Sequence, residues 1–430
     1  MRVLVTGATG LIGAAVVARL IAGGHEVVGM ARAVSRAERR LPQVRWLRLD
    51  IAQTVSPAGW ALHLEGVDAV VNCAGLLQDA PGDSLIGVHE RGAAALFEAC
   101  ERTGVRRVVQ ISAIGIDRET PTPFSRTKRR GDEALMRRDL DWIILRPSVV
   151  VGRSAYGGSA MFRGLAALPI LPVMPNMALL QIVQLDEVAE TVVFCLRPDA
   201  PMHLTLELVG PERLSFVEVI RIYRRWLGWS DARLWRLPPW LAAMLFRLGD
   251  AAGLLGWRPP LRSTAQREIA RGAVGDPGEW TRVTGIVPRS LTAALDSEPC
   301  PVQERWFCGL YALKPLLFVM LPLFWIATGV ISLGPGYEAG IELMRSGGAG
   351  QLSAFCVVAG GLADILIGLA IVFRRTTQRG LYAALAITVF YLIAGTALLP
   401  ELWFDPLGRL LKTLPIMVLH MVAIAVLEDR

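Results

Sequence analysis

Apolar positions along this chain follow two regimes. Up to about residue 304, short apolar runs alternate with longer stretches in which apolar residues recur every three or four positions. The short runs are Arg2–Thr6, residues 26–30, residues 45–49, Ala69–Asn72, Arg107–Ile111 and residues 142–145. Runs of this length, rich in Val, Ile and Leu and bounded by turn residues, predict strands buried on both faces. Between them Leu11–Ala22 and residues 87–103 and 128–138 predict helices. Such alternation predicts an α/β domain built on a doubly wound parallel sheet, which binds ligands beyond the carboxyl ends of its strands.

The second regime is all-α. Residues 315–333 and 381–399 carry no charge, residues 352–373 are interrupted only by Asp364, and residues 413–427 form a shorter apolar run. About 20 apolar residues suffice to cross the hydrocarbon core, so a four-helix transmembrane domain is expected over 306–430. Residues 300–305 are the linker, and residues 1–299 the α/β domain, with a small substrate lobe from about 154. Asp364 and His420 are polar residues inside expected spans, where a buried ionisable group points either to function or to hydrogen bonding between helices. Arg374, Arg375 and Arg379 crowd one short connection, and basic connections stay in the cytoplasm. Counting spans from there places the α/β domain and the C-terminus on the cytoplasmic side of a multi-pass protein of the inner, cytoplasmic membrane. The apolar run after residue 10 is interrupted by Arg19 and preceded by a strand, so it does not read as a signal peptide.

Composition sharpens this picture. The chain has 430 residues, 53% hydrophobic and 19% charged, with a net charge of +7. The basic residues are scattered rather than gathered in a stripe with aromatics, which argues against nucleic acid; a basic face beside an anionic membrane accounts for them. Six cysteines without CxxC or metal-ligand spacing fit a reduced compartment and no metal site.

The candidate chemistry begins at the first strand. Thr6 and Gly7 are followed by Thr9, Gly10, Leu11, Ile12 and Gly13, then a helix and a second strand. This strand–glycine turn–helix–strand unit binds a dinucleotide: Gly7 allows the tight turn, Gly10 the approach of the pyrophosphate, and Gly13 close packing of helix on strand. The helix N-terminus offers its N–H groups to phosphate. The second strand ends at Arg32, where NAD sites usually carry an acid; an arginine, with Arg36 nearby, favours the 2′-phosphate of NADP (NADPH) over NAD. A solvated arginine would read the same.

Further motifs are Asp50-Ile51, Asn72 with Cys73, Ala74 and Gly75, then Ser112, Lys128, Leu145-Arg146-Pro147-Ser148 and the run 184–189. Together they resemble the short-chain dehydrogenase/reductase superfamily, in its extended, atypical branch. The resemblance is to accessory subunits of respiratory complex I and to NAD-dependent epimerases and dehydratases of nucleotide sugars. It covers residues 1–299 and implies a Rossmann fold. It also implies cofactor contacts from Thr6, Gly7, Thr9, Gly10, Leu11, Ile12, Gly13, Arg32, Asp50, Ile51, Cys73, Ala74, Gly75, Lys128 and Pro147.

Active members of that superfamily use a Ser and a Tyr–Lys pair in which the tyrosine passes the proton. Here Ser112 and Lys128 stand as the catalytic candidates, but the tyrosine position holds Phe124. Three readings stay open: Tyr156 supplies the proton; the acceptor, such as a quinone, needs none from the protein; or the domain binds nucleotide without chemistry, as a scaffold or sensor with a membrane protein partner.

Residues 306–430 resemble the DoxX-like family, through Tyr311–Pro315, Trp325–Gly329 and Gly360–Gly368. The whole then reads as a membrane-anchored NAD(P)H-binding oxidoreductase delivering hydride to a lipophilic acceptor; a sugar-nucleotide epimerase or dehydratase is the reading that the missing tyrosine weighs against most. In the middle of the chain, Pro238-Pro239-Trp240 opens an apolar helix whose only charges are Arg247 and Asp250, among frequent tryptophans. A buried helix of the lobe, a lipophilic channel and a membrane-surface helix all fit that pattern.

Overall fold

The computed structural model describes residues 1–427. The chain forms two compact units, Met1–Ala251 with Pro259–Cys308, and Ala252–Arg258 with the residues from Gly309 onward.

The first unit is built on seven strands: β1 (Arg2–Thr6), β2 (Glu26–Ala31), β3 (Arg45–Arg48), β4 (Ala69–Asn72), β5 (Arg107–Ile111), β6 (Asp141–Pro147) and, after three short strands, β10 (Leu204–Leu208). Their order is β10-β6-β5-β4-β1-β2-β3 and every neighbouring pair is parallel. The period-two geometry of a strand explains the apolar runs. Val3 and Val5 enter one core and Leu4 the other, as do Val71 and Val109 against Val70 and Val108. Each such fully buried side chain stabilises the fold by about 1.5–3 kcal/mol. The strand order reverses between β1 and β4, which makes their carboxyl ends the switch point where doubly wound sheets bind ligands.

The short strands β7 (Val149–Val151) and β9 (Ile182–Gln184) pair in parallel, as do β8 (Ile170–Val173) and β11 (Arg233–Arg236). Two helices differ from the sequence expectation. The helix holding Lys128 begins at Pro123 because Thr122 and Ser125 form a reciprocal capping box ahead of a proline in its first turn. The expected helix over 87–103 is a π-helical stretch, Ile86–Gly92, followed by an α-helix, Ala93–Thr103.

Among the described residues three helices are long and apolar enough to cross a membrane: Val302–Leu333, which enters the second unit at Gly309, Gly350–Val372 and Thr377–Leu398. The fourth apolar segment, Thr413–Val426, is 14 residues long. That is about 21 Å of helix against a hydrocarbon core of about 30 Å. An unanticipated helix, Tyr337–Ser346, follows Gly334–Gly336; its Glu338, Glu342 and Arg345 hid it from an apolar-run reading. Small residues set the packing here. A Cβ on Gly329 would lie 2.4 Å from the Gly361 carbonyl oxygen, so these helices approach where neither has a side chain.

Candidate functional site

The glycine turn is folded onto itself at the switch point. Gly7 sits at φ +61°, and a Cβ there would meet the Cys73 carbonyl at 2.8 Å and the Ala74 nitrogen at 2.9 Å. A Cβ on Gly13 would meet the Gly7 carbonyl at 2.2 Å. Gly10 donates its N–H to Gly7 O at 2.9 Å and is the N-cap of helix Leu11–Ala22. No side chain caps that helix and its first turn carries no acid, so the positive end formed by Leu11, Ile12 and Gly13 suits an anion. Thr9 is exposed at the crown of the turn. The three glycines are thus fixed by close approach, and the cradle fits the diphosphate of a dinucleotide.

Directly beneath it a row of buried polar side chains ties three strand ends together. Thr6 Oγ1 donates to Asn72 Oδ1, and Asn72 Nδ2 donates to Gln110 Oε1 at 2.7 Å. The register places Thr6 opposite Asn72 and Asn72 opposite Gln110. The Ala74 N–H donates to Thr6 Oγ1 and Asn72 Oδ1, both at 3.3 Å, which fixes the turn after β4.

The second half of the site lies around Lys128. Its Nζ is buried and donates to the Ile111 carbonyl at 2.8 Å. Burial pushes this ammonium down to about 8, against the opposing charge of Asp132. A Cβ on Gly75 would lie 3.4 Å from Lys128 Nζ and 3.7 Å from His89 Nε2, so Gly75 links the glycine turn's neighbour strand to the lysine. Ser112 Oγ donates to Asp132 Oδ2 at 2.8 Å, and Arg146 Nη2 reaches the same oxygen at 3.4 Å while its Nη1 pairs with Asp117 at 2.9 Å. Asp132 is 1% exposed, and burial pushes its carboxyl up to about 6 in spite of the Ser112 hydrogen bond and the cations.

Phe124 packs edge-on against His89, with ring centroids 5.7 Å apart. His89 accepts the Leu76 N–H at Nε2, 3.0 Å, which leaves its proton on Nδ1, 3.0 Å from Thr127 Oγ1. Thr127 in turn donates to the Pro123 carbonyl at 2.8 Å. Burial, then the charge of Lys128, holds His89 well below the ordinary histidine range. It is a neutral imidazole with both nitrogens engaged. The π-helical stretch that carries it fits closely: a Cβ on Gly131 would meet the His89 carbonyl at 2.3 Å, and one on Gly92 the Ile51 carbonyl at 2.1 Å.

The sequence candidates therefore fall into groups. Thr6, Gly7, Gly10, Gly13, Cys73 and Ala74 meet in the cradle, and Gly75, Ser112 and Lys128 gather on the adjoining side. Arg32 is engaged by the Asp83 carboxylate and the Gly82 carbonyl. Asp50 accepts the Ala52 N–H at 3.0 Å, and Ile51 is buried in the sheet's core. Pro147 ends β6, its carbonyl accepting the Ile114 N–H at 3.1 Å. Tyr156 is the N-cap of helix Gly157–Ala166, its backbone N–H on Ser159 Oγ. The run 184–189 braces the fold: Glu187 accepts the Arg289 N–H at 2.9 Å. Sequence reasoning missed His89, Thr127, Gln110 and Asp132. Of these only Asp132 left a signal, four residues beyond Lys128 on the same helix face.

In the second unit, the Tyr391 hydroxyl donates to Asp364 Oδ1 at 3.2 Å. The Trp325 indole donates to His420 Nε2 at 2.9 Å, and His420 Nδ1 donates to the Ile416 carbonyl at 2.7 Å.

Residues 7–164 match a family described as NAD(P)H-binding, and residues 322–421 match the DoxX-like family. The chain is 31% identical over 332 residues to sterol demethylase protein B of Methylococcus capsulatus, covering 71% of this chain and 99% of that protein. It is 24% identical over 316 residues to ceramide reductase of Caulobacter vibrioides, covering 68% of this chain and 98% of that one. The UDP-glucuronic acid 4-epimerase of Bacillus cereus, solved in complex with NAD, superposes with a TM-score of 0.54 at 17% identity, over 72% of this chain and all of the epimerase, and shares its fold.

Proposed function

The chain belongs to the short-chain dehydrogenase/reductase superfamily, with an NAD(P)H-binding, epimerase-like domain joined to a DoxX-like domain, and from this premise we propose that it is a membrane-anchored oxidoreductase that passes hydride to a lipophilic acceptor. The observation that carries the proposal is the pairing of a complete dinucleotide cradle with a buried Lys128 and a nearby Ser112, beside a phenylalanine where the acid would stand. The nicotinamide supplies the hydride when bound.

The chain's own residues hold and orient. Gly7, Gly10 and Gly13 with the helix end receive the diphosphate, and Lys128 stands ready to donate to the ribose. Ser112 is aligned by Asp132, whose Oδ2 Arg146 also reaches. Phe124 has no proton to give and His89 has both nitrogens occupied, so the reading favours an acceptor that draws its proton from water or from the Lys128 ammonium. A quinone meets that condition, and so does a lipid carbonyl. Two relatives are named ceramide reductase and sterol demethylase protein B, which supports a lipid-like acceptor. NADP is the preferred dinucleotide in this reading, with Arg32 turning from Asp83 to the 2′-phosphate. The crowded arginines after residue 373 support a cytoplasmic placement of the nucleotide domain.

A non-catalytic reading, a nucleotide-dependent scaffold for a membrane complex, is favoured by the same commitment of Ser112 to Asp132 and by Phe124. Turnover separates the two. Lys128→Ala should lower the rate with a lipophilic acceptor by about 10²–10⁴ while keeping dinucleotide binding, measured by cofactor fluorescence. A wild-type protein that binds NADPH one to one and never oxidises it supports the scaffold. Arg32→Ala should weaken NADPH and spare NADH, by about tenfold for a charge-assisted contact.

A further inference from the structure

Helix Pro239–Leu254 has its apolar side turned outward. Trp240, Met244 and Leu248, spaced one turn apart, are 68%, 43% and 58% exposed, whereas Ala242 and Phe246 are buried. The far side is already occupied: a Cβ on Gly249 would lie 1.7 Å from the Leu261 carbonyl oxygen, so the helix is pressed against its own lobe there. A surface helix of a water-soluble protein shows the reverse pattern. Strand β11 immediately before it carries two further exposed apolar residues, Leu234 and Trp235. No acid stands between Asp231 and Asp250, while Arg233, Arg236 and Arg247 do. Tryptophan, aliphatic residues and arginine without acids are the composition of a helix lying in a membrane interface.

The continuation of the chain identifies what covers this face. The helix runs into residues 252–258, which are fixed to the end of a spanning helix in the second unit. The Trp257 indole donates to the Val372 carbonyl at 2.8 Å and the Arg374 N–H donates to the Leu255 carbonyl at 3.0 Å. The Arg374 guanidinium lies 5.6 Å from the Trp257 ring centre. Val372 is the last residue of its spanning helix, so this segment is held at the level where apolar core gives way to headgroups. We infer that the outer face of helix Pro239–Leu254, with Leu234 and Trp235, is embedded in the headgroup layer of the bilayer, a second attachment beside the spanning helices. Its arginines lie along anionic lipid. The inference rests on the reading of the apolar helices as membrane spans.

The test uses the full chain in nanodiscs containing anionic lipid, with Cys300 and Cys356 replaced by serine and the parent giving the labelling background. Single cysteines are introduced as Met244→Cys, Leu248→Cys, Leu366→Cys and Leu62→Cys and labelled with the fluorophore NBD. Leu366 is exposed midway along a span and Leu62 is exposed on the nucleotide-binding unit. Nitroxide-bearing lipids should quench positions 244, 248 and 366, with headgroup-proximal nitroxides most effective at 244 and 248, and aqueous iodide should quench only 62. Quenching of 244 and 248 by iodide to the same degree as 62, with 366 still quenched by lipid, overturns the inference and leaves the spans intact. Protection of 244 and 248 from both quenchers overturns it in favour of a protein partner or second copy. Iodide quenching at 366 as well overturns the membrane reading together with it.

Discussion

Each unit of this chain buries a carboxylate, and the two are handled differently. Asp132, in the nucleotide-binding unit, is met by a serine hydroxyl and an arginine, and that arginine is shared with a second acid. Asp364, in the apolar bundle, has a tyrosine hydroxyl at 3.2 Å. The same contrast separates the Thr6–Asn72–Gln110 row from the Trp325–His420 pair. Where water surrounds a domain, a buried charge is held by a network whose members depend on one another. Where lipid surrounds it, the unfolded reference also lies in an apolar medium, and one hydrogen bond contributes modestly. Buried polar networks thus join the close-approach glycines in fixing the geometry of the first unit, while in the second small residues such as Gly329 and Gly361 set the packing beside isolated polar pairs.

The sharpest way to break this contrast is at the cradle. Gly13→Val should abolish dinucleotide binding and overpack the β1 turn by at least about 3 kcal/mol, since its Cβ alone meets the Gly7 carbonyl at 2.2 Å. Thermal shift with and without NADPH reads both effects. Next in size, Asp132→Ala leaves Arg146 buried with only Asp117 as its acid and should destabilise by about 3 kcal/mol, the low end for a broken buried pair. Denaturant unfolding measures it. Trp325→Phe in the bundle, by contrast, should cost about 0.6–1.7 kcal/mol. A loss as large as that of Asp132→Ala would erase the distinction between the units.

The remaining effect is in pH. Burial lowers Lys128 to about 8, so its positive charge is lost above that pH, and burial raises Asp132 to about 6, so its negative charge is lost below it. The charged pair persists between these values, and the rate should fall about tenfold per pH unit outside them. Asp132→Asn should remove the acid limb and keep the alkaline one.

Much of the fold was legible because its signals are local. Strands β1, β4 and β5 coincide with apolar runs, and the cradle is a spacing of glycines within one turn. The helix of Lys128 began earlier than expected because Thr122 and Ser125, polar residues without apolar period, set its start. The Thr6–Asn72–Gln110 row and the His89–Thr127 clamp join residues 38 to 66 positions apart, and no periodicity announces such partners. Arg32 read as a phosphate ligand, and Asp83, 51 residues on, is its partner in the fold. The outward face of helix Pro239–Leu254 was undecidable from sequence because an apolar stripe looks the same facing in or out.

The central claim is hydride transfer to a lipophilic acceptor without the usual tyrosine. The most direct test is NADPH consumption by the full chain in nanodiscs, with a short-chain quinone, with a long-chain lipid ketone, and with neither. The account predicts oxidation that requires one of these acceptors and disappears in both Lys128→Ala and Gly10→Val. NADPH that binds and stays reduced with every acceptor, or oxidation that persists in Lys128→Ala, contradicts it.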